Sequence, residues 1–360
     1  MSQLLTPMDF ANGQQAHNRL WLAPMTNMQS HADGTLSDDE FRWLKARSEG
    51  GFSVIESCAT HVSLDGQGWQ GELGIWDDAQ IPGWRRLADA MHGDESLLIA
   101  QIFHGGARAL RSAAYPTPWS ASSAGEGDSA VAEGTEAQIL AAREAFIAAG
   151  VRAYRAGLNG IELHGAHGYL LCQFLSTTMN RRTDSWGGSL ENRARLTREI
   201  LQEIRRQTSP DFIIGVRLSS ESYGSTAGLH IDETAQVAQW LCADSADFIH
   251  ISLWDASRNS TQYPDQHPTR FFRDALPGSV PLITAGAIWS REDAERQLDL
   301  GADAVALGRS AIANPDWPLQ VATGKSAPLR PPVTEQQLRD RALGESFVQY
   351  MKRWPGFVEG

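Results

Sequence analysis

Two imidazoles stand three residues apart in His164-Gly165-Ala166-His167, and a phenol follows at Tyr169. Ring N–H donors this close can converge on one carbonyl or phenolate oxygen and stabilise charge that grows there. Two other readings stay open. A histidine inside a folded core is more often structural, and an HxxH pair can ligate a metal, although no third ligand stands at a tell-tale spacing. Arg217, within Gly215-Val216-Arg217-Leu218, is a charge set in an apolar run. Such a charge needs an anion, an electron-rich ring or an internal salt bridge to offset its desolvation. Glycines recur in Thr284-Ala285-Gly286-Ala287 and Leu307-Gly308-Arg309-Ser310. Bare N–H groups there can close on a phosphate, and Arg309 can fork two of its oxygens. The plainer alternative is two tight turns and a solvated arginine.

These residues need elements to bring them together. Short runs rich in Val, Ile and Leu alternate with longer helical patterns, the mark of βα units around a parallel sheet. The runs are Leu20 to Ala23, Phe52 to Glu56, Leu97 to Gln101, Gly160 to Leu163, Ile213 to Leu218, Phe248 to Ile251, Val280 to Thr284 and Ala304 to Leu307. Between them the patterns predict helices over Asp39 to Glu49, Pro82 to Met91, Glu136 to Ala156, Leu190 to Gln207, Ile231 to Cys242 and Arg291 to Leu300. This order predicts an α/β fold, a (β/α)8 TIM barrel. A doubly wound sheet also alternates, but it usually carries a glycine fingerprint after its first strand, and here that run ends in Ala23-Pro24-Met25-Thr26.

Barrel enzymes build their sites where the strands end. Thr26 follows the first run, Ala59 and Thr60 the second, Gln101 closes the third, and His164 and His167 leave the fourth. Arg217 stands in the fifth, Gly286 after the seventh, and Gly308 and Arg309 after the eighth. The chemistry thus collects at one end of the predicted barrel. The Ser-, Ala- and Gly-rich stretch Pro116 to Thr135 reads as a long loop after strand 3 and a candidate lid. Residues 1–323 read as the barrel, and 324–360 as a Pro-rich linker, Gly324 to Val333, with a C-terminal helical tail over Thr334 to Arg353.

With 42% hydrophobic and 21% charged residues, the 360-residue chain has the composition of a globular protein. A net charge of -12 leaves no broad basic surface, which argues against nucleic acid as a partner. No run is long and apolar enough for a membrane span, and the start lacks a signal pattern, so the expectation is a cytoplasmic protein. Cys58, Cys172 and Cys242 are scattered and lack CxxC spacing, as for packed, reduced thiols.

One long segment carries more information than its spacing. The run His164-Gly-Ala-His-Gly-Tyr-Leu-Leu-Cys-Gln-Phe-Leu-Ser176, with Asn180-Arg-Arg-Thr-Asp184 and Gly187-Gly-Ser-Leu-Glu-Asn-Arg193, closely resembles the signature of the Old Yellow Enzyme family of ene-reductases. The match extends to Asn18 through Thr26 and to Gly301 through Arg309, covering residues 5 to 320. The resemblance implies FMN across the barrel mouth, its phosphate near Gly286, Gly308 and Arg309. Pro24, Met25, Ala59, Gln101, His164 and Arg217 would then contact the ring, and Thr26 its N5/O4 edge. It also implies NADPH or NADH as reductant and a small activated alkene as substrate. His164 and His167 would bind the alkene's carbonyl or nitro oxygen, and Tyr169 would supply a proton to its α-carbon. Many bacterial members with this overall pattern carry Cys where Thr26 stands, and an aromatic near Met28, so the chain departs from them twice.

The tail around Arg353 and Trp354 resembles tails that reach a neighbouring subunit's site, which predicts a homodimer or homotetramer. Other relatives of the family add an iron–sulfur cluster and further domains. The scattered cysteines and the length argue against that reading. Two function classes compete with the ene-reductase. One is a flavin-free, phosphate-binding barrel isomerase or lyase, with His164 and His167 as acid and base. The other is a non-catalytic flavin-binding module, which would have no need of Tyr169.

Overall fold

The computed structural model describes residues 2–224, 226–324 and 328–359. Eight parallel strands close into a barrel: β1 (Leu20–Leu22), β2 (Val54–Glu56), β3 (Leu97–Phe103), β4 (Gly160–Gly165), β5 (Ile213–Ser219), β6 (Phe248–Ser252), β7 (Leu282–Ala285) and β8 (Ala304–Leu307). Closure comes from β8 pairing with β1, Val305 opposite Leu20, and from β2 pairing with β3, Val54 opposite Leu97. The expected (β/α)8 TIM barrel is the observed fold. The seventh strand begins two residues later than the run that predicts it. Pro281 lacks an N–H, so regular pairing starts at Leu282.

Most expected helices match to within a residue or two, and their ends show why. Ser37, Thr135, Ser189 and Ser290 each accept a backbone N–H of the helix that follows, fixing its start. Pro268–Ala275, which completes the unit between β6 and β7, was missed by periodicity because it is one short, half-exposed turn pair started by Pro268. None of the described helices is long and apolar enough to cross a membrane.

Side chains facing the barrel axis recur every second residue, as a pleated strand requires. At the amino-terminal end they are apolar. Trp21 and Phe248 meet edge to face at 5.1 Å, and Phe10, carried in by the hairpin of Met8–Asp9 and Gln15–Ala16, lies 6.0 Å from Trp21. Gly215 makes room for this packing, since a Cβ there would stand 2.0 Å from the Phe248 ring. Higher up, the axis turns polar with Glu56, Glu162 and His250, all buried, and then Gln101 and Arg217. Parallel strands buried on both faces are usually apolar throughout. Ionisable groups at this depth are a feature to be explained.

The loop after β3, the candidate lid, is tied to its surroundings at both of its ends. Trp119–Ser120 pairs with Ala132–Glu133, and Arg182 donates to the carbonyls of Ala121 (3.1 Å) and Gly134 (2.7 Å). Arg182 also holds Asp184 at 2.6 Å, so the charge-rich segment after β4 braces the loop after β3.

The tail differs from the single helix expected over Thr334 to Arg353. It forms two short helices, Glu335–Arg339 and Glu345–Met351, broken where Ala342 takes φ 63° and Gly344 caps the second helix. Tertiary anchors win over helix continuity here. The Gly344 N–H donates to Gln29 Oε1 (2.7 Å), Arg47 Nη1 donates to the Arg341 carbonyl (2.8 Å), and Phe347 packs edge to face on Trp43 at 4.9 Å. The tail thus lies on its own barrel. Of the expected linker, residues 325–327 lie outside the described residues.

Candidate active site

A cavity of about 460 Å³ opens at the carboxyl end of the barrel. Its walls come from the segments after the strands: Pro24, Met25 and Thr26 after β1, His167 and Tyr169 after β4, Gly286 after β7, and Gly308 and Arg309 after β8. Arg217 reaches it from β5 itself. Ala59, Gln101 and His164 do not line the cavity. All three are buried, and His164 packs directly against the lining residues His167 and Tyr169.

His164 is one of the last inward residues of β4. Its ring is buried, 5.0 Å from His167 at a steep angle and 5.1 Å from Tyr169, and its Nδ1 has no hydrogen-bond partner. A buried polar atom left in this state costs stability unless something fills the site. His167 follows in a left-handed conformation, φ 59°, that L residues adopt at a cost of about 1–3 kcal/mol. The turn is held by a Ser219 Oγ that accepts the His167 N–H (3.0 Å) and by Arg108 Nη1 donating to the His167 carbonyl (2.7 Å). Burial pushes both imidazoles well below the usual histidine range, with Arg217, Arg108 and His250 adding to it in both and His167 adding to it in His164, so both are neutral near pH 7. No described group of metal-ligating residues includes either histidine.

Tyr169 stands edge-on to Phe103 at 4.8 Å, with the Arg108 guanidinium 4.4 Å from its ring centre. Burial raises its phenol above the ordinary value of 10.0, although Arg108 opposes the shift. It therefore holds its proton throughout the neutral range.

At the floor, Arg217 Nη2 donates to Ser252 Oγ (3.1 Å), while its Nε is buried and has no partner. Gln101 turns away from the cavity and donates to Glu162 Oε1 (2.6 Å). At the far end Gly286 takes φ 145°, and a Cβ there would lie 2.4 Å from the Leu253 carbonyl. Gly308 is different, because its Cβ would meet nothing closer than Met25 Sδ at 3.5 Å. The protein's own packing does not demand glycine at 308, whereas a close-lying ligand would. Arg309 is exposed beside it, and among the described residues no carboxylate pairs with it.

These residues fit FMN, a flat ring with hydrogen-bonding edges and a terminal phosphate. The orphaned Arg217 Nε belongs to a cavity-wall residue and could bond a ring edge, while Gly286, Gly308 and Arg309, which pairs with no carboxylate among the described residues, suit a phosphate. The model of the NADH:flavin oxidoreductase / NADH oxidase family matches residues 3–327. The chain belongs to that family. It is accordingly an oxidoreductase with FMN as cofactor and a nicotinamide as reductant.

Within this family of flavin oxidoreductases, the chain is 33% identical to a probable NADH-dependent flavin oxidoreductase of Bacillus subtilis over 99% of its own length and 97% of that protein. It is 33% identical to an NADH:fumarate oxidoreductase of Klebsiella pneumoniae over 91% of its length, but spans only 36% of that longer protein. Its fold matches an Old Yellow Enzyme homologue from Zymomonas mobilis at a TM-score of 0.81 and 24% identity, covering 97% of this chain and 99% of that one. The resemblance seen in the sequence thus holds for family and fold.

The cavity also contains residues that strand-end inspection passed over. Ser252 ends β6, the one strand for which no candidate was named, Leu253 follows it, and Trp254 beyond them is 68% exposed at the mouth. A serine directly after an apolar run was the available signal. Arg108 sits in the glycine-rich turn His104-Gly-Gly-Ala-Arg108, a second signal left unread. Tyr350, Met351 and Trp354 enter from the tail and line the same cavity as Thr26. No local pattern announces that placement, since it depends on how the tail folds back.

Proposed function

We propose that the chain is an ene-reductase that uses NADPH or NADH to reduce the C=C bond of α,β-unsaturated carbonyl or nitro compounds. The observation that carries this reading is the convergence of His167 and Tyr169 on one end of the cavity wall, with His164 packed directly behind them, while the other end suits a phosphate. Bound FMN supplies two-electron exchange between the nicotinamide and the alkene.

Gly286, Gly308 and Arg309 would hold the phosphate. Pro24, Met25, Thr26 and Arg217 would hold the ring from the cavity wall, with Ala59, Gln101 and His164 supporting them from behind. His167, which lines the cavity, would bind the substrate oxygen, and His164, whose ring is buried 5.0 Å behind it with Nδ1 unpartnered, would join it once its ring turns toward the cavity. Because both are neutral, each offers an N–H without bringing a competing positive charge, and each bond strengthens as the oxygen gains negative charge. Losing one such donor typically costs about 2.7–4 kcal/mol of transition-state stabilisation. Tyr169, protonated at neutral pH, delivers its proton to the α-carbon and regains one from solvent. In a homodimer or homotetramer the exposed Arg353 would be the tail residue offered to a second copy, since Trp354 lines this chain's own cavity.

The test is an absorption spectrum of the purified protein, followed by anaerobic addition of NADPH or NADH and then cyclohexenone. Yellow protein that bleaches with the nicotinamide and recolours with the enone is the expected result. Bleaching without recolouring by any enone or nitroalkene would leave a flavin oxidoreductase of another specificity.

A further inference from the structure

Directly beneath Arg217 and Gln101 the barrel axis holds Glu56 from β2, Glu162 from β4 and His250 from β6, each at most 1% exposed. Their contacts are specific. Glu162 accepts from Gln101 Nε2 at 2.6 Å through one oxygen and lies 2.7 Å from His250 Nδ1 through the other. His250 Nδ1 is also 3.7 Å from Glu56 Oε2, while both oxygens of Glu56 and the His250 Nε2 have no hydrogen-bond partner. The neighbouring inward residues of β1, β7 and β8 are Ala23, Ala285 and Ala306, so Glu162, His250 and Arg217 are the charged groups facing Glu56.

Two carboxylates could attract a divalent cation, but two features oppose it. Arg217 already places a positive charge over the cluster, and His250 Nδ1 is engaged with Glu162. The charges instead balance among themselves. Burial acts to raise Glu162, yet His250 and Arg217 outweigh it and hold it ionised. Burial and Arg217 act to lower His250, yet Glu162 and Glu56 outweigh them and raise it. Glu56 is the group left between states: burial, and then the charge of Glu162, push it up to about 7.

We propose that Glu56, Glu162 and His250 are positioning residues forming a proton-holding layer beneath the ring site. Through Glu162 the layer fixes Gln101, and through Glu56 it takes one proton from solvent when negative charge arrives on the bound ring. The balance is simple. The nicotinamide supplies two electrons, solvent supplies the proton, and the Glu56 carboxylate becomes a carboxylic acid. At this depth the reduced screening makes an added charge a few ångströms away felt strongly, and proton uptake neutralises it. The inference rests on the ring lying against Arg217, and is independent of which alkene is reduced.

The experiment is the midpoint potential of the holoenzyme against pH, from 6 to 9, for wild type, Glu56→Gln and Arg217→Lys. Added charge raises the affinity of Glu56 for its proton, so in wild type the potential should fall more steeply above pH 7, by one extra proton per two electrons. That is about 30 mV for each tenfold change in proton concentration. Glu56→Gln should lose this extra slope, whereas a purely structural role would displace the curve without changing its shape. Arg217→Lys should shift the potential at every pH. A Glu56→Gln curve parallel to wild type, with Arg217→Lys shifted, would overturn the proton layer alone. An unshifted Arg217→Lys curve would remove the ring placement beneath it. Should Glu56→Gln fail to fold, indicator-dye measurement of protons taken up by wild type on anaerobic reduction decides the matter, and a stoichiometry constant from pH 6 to 9 would refute the layer. Near-stoichiometric zinc or iron in the purified holoenzyme would refute it too.

Discussion

His167 Nε2 lies 2.7 Å from Ser252 Oγ, and the same hydroxyl accepts Arg217 Nη2 at 3.1 Å. One serine at the end of β6 therefore ties a proposed substrate-binding imidazole to a proposed ring-binding guanidinium. Ser252→Ala should loosen both, at about 1 kcal/mol per hydrogen bond released. The expected outcome is a fall in kcat/KM for enones of roughly 5- to 30-fold, with FMN retained. Steady-state kinetics beside a flavin count per protomer checks it.

Tyr169→Phe separates the two half-reactions. Removing the proton donor should slow alkene reduction by about 100- to 10,000-fold and leave bleaching by the nicotinamide near its wild-type rate. Because the wild-type phenol is raised above 10.0, the alkene step should show no loss of proton donor as the pH rises from 6 to 9. Stopped-flow absorbance on each half-reaction reads both.

Arg309→Ala addresses the phosphate. A hydrogen bond to a charged group is worth about 1.5–3 kcal/mol, so the Kd for FMN should rise roughly 10- to 150-fold. Titrating apoprotein with FMN, followed by flavin fluorescence, measures this directly. Riboflavin, which lacks the phosphate, should bind wild type and variant alike.

Glu40 offers a stability prediction away from the site. Its side chain is fully buried, accepts from Asn27 Nδ2 at 2.8 Å, and is pushed up to about 7 from 4.5, chiefly by burial. A group raised in the folded state favours folding fully below its unfolded value and loses that contribution as pH rises through its folded value. The loss is about 1.4 kcal/mol per pH unit between 4.5 and 7. Glu40→Gln, which keeps the acceptor but cannot ionise, should match wild type in Tm at pH 5 and exceed it at pH 8. Equal Tm values at pH 8 would refute this.

Residues whose place at the cavity follows from place along a strand were legible. Arg217, Gly286 and Gly308 were visible because a charge in an apolar run and glycines after strands are local signals, and the barrel brings all such ends to one mouth. Tyr350 and the broken tail were not. The break at Ala342 to Gly344 is set by Gln29, Arg47 and Trp43, hundreds of residues away, and helical periodicity carries no record of them. The polar layer of Glu56, Glu162 and His250 was overlooked for a related reason. Each residue alone reads as an interruption of its strand, and only closure of the barrel makes the three neighbours.

Phe10, Trp21 and Phe248, packed against one another at steep or tilted angles, plug the amino-terminal end of the barrel, and the cavity opens at the other. On the proposed function, reductant and acceptor should then come and go by the same door. They should take turns, the first product departing before the second reactant enters. The two substrates should therefore give parallel lines in double-reciprocal plots, and an excess of either should compete with the other.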